Sequence, residues 1–63
     1  MATYKITINT ETTTATKKAT AYAAFNGVVI SNIALTTFSV EIDSEDAEWF
    51  ESELESDDDV LSY

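Results

Sequence analysis

The side chains best equipped for chemistry in this 63-residue sequence are carboxylates: twelve Asp and Glu, eleven of them within positions 41–59. Such a density can hold a hard cation, or set one carboxyl as acid beside another as base. Neither pattern is met. Residues 51–59 lack the central glycine of an EF-hand loop, and so short a chain cannot build both a core and an enclosing substrate pocket. Serine and threonine are plentiful, but there is no histidine to serve as their base and no GxSxG turn to present a nucleophile. The lack of cysteine and histidine removes the usual zinc ligands, and a single glycine excludes a glycine-rich phosphate loop. The expectation is a protein with no catalytic, metal or cofactor site, whose acids form a solvated helix face and a turn.

Charge then narrows the partners. The only cations are Lys5, Lys17 and Lys18, and the net charge is −9. A phosphate backbone or an anionic membrane needs clustered Lys and Arg, so neither is an expected target. Another protein with a basic surface suits this field. No apolar run, Val28-Val29-Ile30 included, approaches the length of a membrane span. The opening residues lack a secretory pattern and there are no disulfides, which together point to a cytoplasmic location.

The elements that must position these groups follow from periodicity. Tyr4, Ile6 and Ile8 alternate with Lys5, Thr7 and Asn9, predicting a strand over residues 3–9. Threonines able to cap a helix precede Ala15, Ala19, Tyr22 and Ala23 at helical spacing, predicting a helix over 12–25 that stops at Asn26-Gly27. Residues 28–35 are apolar and β-branched and read as a second strand with apolar side chains on both faces. No strong turn signal separates them from Phe38, Val40 and Ile42, the inward positions of a third strand. Asp43-Ser44 opens a second helix, acids in its first turn suiting the dipole, with Ala47, Phe50 and Leu54 inward and an end near Ser56. Asp57-Asp58-Asp59 is a polar connection to a last strand, residues 60–63.

The order β-α-β-β-α-β predicts a single α+β domain of the ferredoxin-like, split βαβ kind: a four-stranded antiparallel sheet with two helices on one face. Most aromatic residues fall at core spacing. Trp49 sits beside the buried stripe of the second helix, at its edge, and indole is enriched at binding hot spots.

Three stretches, Phe38-Ser39-Val40-Glu41-Ile42, Ser44-Glu45-Asp46-Ala47-Glu48 and Asp57-Asp58-Asp59-Val60-Leu61-Ser62-Tyr63, resemble the propeptides of subtilisin-like serine proteases and the free-standing propeptide-like protease inhibitors. Tyr4-Lys5-Ile6-Thr7-Ile8 resembles their opening strand. The resemblance implies the same split βαβ fold, acting as a chaperone or inhibitor that packs its sheet on two helices of the protease. It places contacts at Val60, Leu61, Ser62 and Tyr63. The cleft-filling tail that follows the last strand in that family has no counterpart after Tyr63.

Two other readings compete with it. One is a small phage-like acidic decoy that covers a basic surface of a nucleic-acid enzyme through the stretch Glu45 to Asp59; Trp49, Glu48, Glu51 and Glu55 on the second helix are further candidate partner contacts. The other is a subunit that self-associates into a homo-oligomer by an open sheet edge or face.

Overall fold

A computed structural model describes all residues, 1–63. It contains β1 (Ala2–Ile8), α1 (Ala15–Ala23), β2 (Val29–Ser31), β3 (Thr37–Ile42), α2 (Ala47–Glu55) and β4 (Val60–Ser62), with a 3-10 turn over Ser44–Asp46 leading into α2. The four strands form one antiparallel sheet in the order β2-β3-β1-β4. This is the expected split βαβ arrangement, with β1 and β3 central and the two three-residue strands at the edges.

The pleat sorts the residues of the sheet into two chemically different faces. Pairing of Ile6 with Phe38 and of Tyr4 with Val40, itself paired with Ile30, puts the β-branched and aromatic side chains on one side. Against them pack Ala15, Ala19 and Tyr22 of α1 and Phe50 and Leu54 of α2, so both helices cover the same face. The core is ten residues, all hydrophobic, with Phe38 and Phe50 wholly enclosed. On the other face lie Thr3, Lys5 and Thr7 of β1, Thr37, Ser39 and Glu41 of β3, and Val29 and Ser31 of β2. No helix covers this side, and it is polar apart from Val29.

Local chemistry explains where the elements begin and end. Of the clustered threonines, Thr14 caps α1: its backbone is extended and its hydroxyl accepts from the Lys17 amide at 3.1 Å. The helix therefore begins at Ala15 rather than at residue 12, and Thr12 is free for a different contact described below. After Ala23 the chain turns through Phe25 to Val28, and Gly27 takes the left-handed φ of +83° that this turn requires.

The second strand is a correction. It pairs over three residues rather than the eight expected across 28–35, because Asn32 adopts a left-handed φ of 51° and leads the chain out of the sheet. Asparagine tolerates that region better than most residues. Ile33 and Leu35, expected within a strand, are thereby left in an exposed connection, Leu35 at 90% exposure. That connection is tied back by the Ala34 amide donating to the Thr37 carbonyl and the Ile8 amide to the Thr36 carbonyl.

No helix is long and apolar enough to cross a membrane. A domain of this size has a stability of about 3–9 kcal/mol, and truncating a wholly enclosed aromatic ring costs about 3–5 kcal/mol. Phe38→Ala is therefore expected to remove most of the stability, read as a collapse of the urea midpoint. Thr37→Ala, one position away on the open face, should shift it by less than about 1 kcal/mol.

Candidate protein-binding surface

The acidic segment is attached to the rest of the molecule chiefly by neutral hydroxyl donors. Each of the three tyrosines donates to a carboxylate: Tyr4 to Glu51 at 2.7 Å, Tyr22 to Asp57 at 2.7 Å and Tyr63 to Glu55 at 2.9 Å. Lys18 is the one cation that joins them. Its Nζ lies 2.7 Å from Oδ2 of Asp57 and 3.0 Å from Oδ2 of Asp59. Thr12, left free by the late start of α1, donates to the other oxygen of Asp59. The Asp59 amide closes the turn on Asp57 at 3.0 Å, and the Asn9 amide donates to the Asp59 carbonyl at 2.7 Å. Asp57 and Asp59, expected as a solvated connection, are instead a partly buried anchor that fixes the start of β4.

These contacts move the proton affinities in a consistent direction. Burial works against the charge of Lys18, but hydrogen bonds and attraction from Asp57 and Asp59 outweigh it and hold its pKa above the ordinary value. For Asp57, burial is likewise outweighed by donation from Lys18, Tyr22 and the Asp59 backbone, and its carboxyl is held low. Asp59 is held low chiefly by Thr12 and Lys18. Burial and then the bond to Asp57 raise the Tyr22 phenol, and burial with the bond to Glu51 pushes Tyr4 up to about 12.

The sequence-predicted contact residues separate into two places on either flank of α2. On one flank, Glu51, Glu55 and Tyr63 come together beside Tyr4, whose ring meets that of Tyr63 edge-on at 6.2 Å. Glu51 and Glu55 thus carry internal hydrogen bonds. Val60 is half-buried against Ile8, whereas Leu61 and Ser62 are exposed on the edge strand. On the opposite flank Trp49, still 44% exposed, sets its indole nearly at right angles to Phe25, just past the end of α1, centroids 5.4 Å apart. Glu48 is exposed and without a side-chain partner.

Phe25 meets Trp49 while Lys18 meets Asp57, so α1 and α2 run in opposite directions, with a shallow groove of about 560 Å3 between them. Ala21, Tyr22 and Phe25 form one wall, and Glu53 with the Asp57-Asp58-Asp59 turn forms the other. Sequence reading singled out Trp49 but not this groove, because Glu53 and Asp58 carried no signal beyond charge.

No family model matches the sequence, and no curated protein or solved structure is significantly similar to it.

The sign of the pH response follows from the directions above. The raised phenols of Tyr4 and Tyr22 stabilise the fold fully below the unfolded value near 10, and that contribution is lost as pH rises toward about 12 for Tyr4. The lowered carboxyl of Asp57 contributes above its unfolded value near 3.8 and is lost as pH falls through the lower folded value. Urea midpoints should therefore fall at both extremes, and Tyr22→Phe should flatten the alkaline side. Lys18→Met leaves Asp57 and Asp59 without their cation and is expected to cost about 1–2 kcal/mol near neutral pH, the range for a charged contact largely shielded from water.

Proposed function

We propose that this chain is a non-enzymatic protein-binding module of the propeptide-like kind, which engages a subtilisin-like serine protease through the free edge of β4 and the uncovered face of the sheet. The observation that carries this reading is the strand order. β4 pairs on one side only, with β1, so its other edge offers unpaired backbone groups to an extended segment of a partner. The adjoining open face, with Thr3, Lys5, Thr7, Ser39 and Glu41, is largely polar. That composition suits a reversible complex, whose interface is about as polar as ordinary protein surface. Tyr63, held to Glu55 and against Tyr4, fixes the end of the edge strand before any partner arrives, which lowers the ordering cost of association.

A second reading, the acidic decoy of a basic surface, is favoured by α2 itself. Glu45, Asp46 and Glu48 are exposed at its start, and no basic residue lies in its last turn. Self-association is opposed by the net charge of −9, which sets two copies against each other.

Titration against subtilisin, following substrate hydrolysis together with survival of the chain by mass spectrometry, separates these readings. The propeptide-like reading expects sub-micromolar inhibition with the chain intact. Leu61→Asp changes an exposed edge residue and leaves the core untouched; it is expected to weaken inhibition by about tenfold or more, equivalent to ~1.4 kcal/mol. Absence of inhibition, or rapid digestion of the chain, would overturn the reading.

A further inference from the structure

The groove between α1 and α2 plays no part in docking through β4 or the sheet. Its two walls differ in chemistry. Ala21 of α1 and Phe25, just past the end of that helix, offer apolar surface on one side, and the half-exposed indole of Trp49 stands against Phe25 outside the groove. Facing Ala21 and Phe25 are four carboxylates, Glu53 and the three of the aspartate turn. Lys18 is the only cation nearby and is already held between Asp57 and Asp59. Glu53 and Asp58 have no side-chain partner in the chain.

A further contribution has the same sign. The C-terminal end of α2 carries the negative pole of the helix dipole, and its last turn holds Glu53 and Glu55 with no basic residue to offset it. Acids at that end destabilise the helix until a cation arrives. The groove, about 560 Å3 and open to solvent, has room for a guanidinium group.

We infer that this groove is a docking site for an arginine-bearing segment of a partner protein. A guanidinium fits both walls at once. Its planar face stacks on an aromatic ring such as that of Phe25, and its N–H groups donate in pairs to a carboxylate such as Glu53 or Asp58. An ammonium is more strongly hydrated and gains less from the aromatic side. A metal ion is less suited, because no three carboxylates converge on one point. Nucleic acid is repelled by the same charges that attract the peptide.

The sole tryptophan, Trp49, stands against Phe25 of the groove wall and reports on the groove through that contact. Titrating the intact chain with a hexaarginine peptide near physiological ionic strength should give a saturable, one-site change in tryptophan emission. Ala21→Arg places a competing cation in the groove from an exposed helical position that arginine suits, and is expected to weaken binding about tenfold or more. Glu41→Gln makes the same one-unit change in net charge on the opposite side of the sheet and should alter affinity less than about twofold at that ionic strength. Glu53→Gln should behave like Ala21→Arg. Equal losses for Ala21→Arg and Glu41→Gln would mean that the overall field, not the groove, binds the peptide, and would overturn the proposal. So would equal affinity for hexalysine, or no saturable signal. Protease inhibition by Ala21→Arg should remain at the parent level, so failure of either proposal leaves the other standing.

Discussion

One ammonium group ties the junction between α2 and β4 to α1. Lys18 lies between Asp57 and Asp59, and through them the chain is fixed where α2 ends and β4 begins. Without that fixed point, β4 would enter the sheet from a turn carrying three adjacent like charges, against a pairing of only two registered positions on β1. The clasp also sets the spacing of the two helices, since Lys18 belongs to α1 and the aspartates follow α2. The groove, the placement of Tyr22 and the edge strand all depend on it.

The remainder of the architecture is a compromise between a small core and a large charge. Ten buried residues supply the cohesion, and none of them is polar. Hydrogen-bonding and charged groups are kept at the margins of that core, where their partners can be other side chains while water remains close. Tyr22 shows the solution most clearly. Its ring packs among Phe25, Phe38 and Phe50, and its hydroxyl emerges to meet Asp57.

The central strands were legible in the sequence because their alternation is strict: Tyr4, Ile6 and Ile8, and Phe38, Val40 and Ile42, could face only one way. The stripe of Phe50 and Leu54 was legible for the same reason in α2. The second strand was overextended because Ile33 and Leu35 are apolar and β-formers, and nothing local says that they remain exposed once Asn32 turns the chain. Thr14 could not be singled out as a cap among neighbouring threonines, since each has the same hydroxyl. The clasp was hidden for a different reason: Lys18 and Asp57 are 39 positions apart, and only the folded sheet brings them together. Trp49 was visible as an unusual residue, but the wall opposite it was not.

The three tyrosine hydroxyls have a consequence for the environments in which the chain holds together. Dissolved salt weakens attachments between opposite charges and also weakens repulsion between like ones. Here the acidic segment is secured mostly by uncharged donors, and only Lys18 contributes an ionic attachment. Screening therefore removes much of the mutual repulsion among the acids while leaving most of the moorings in place. The molecule is built to tighten in brine and to loosen in dilute solution, the reverse of a fold stapled by surface ion pairs.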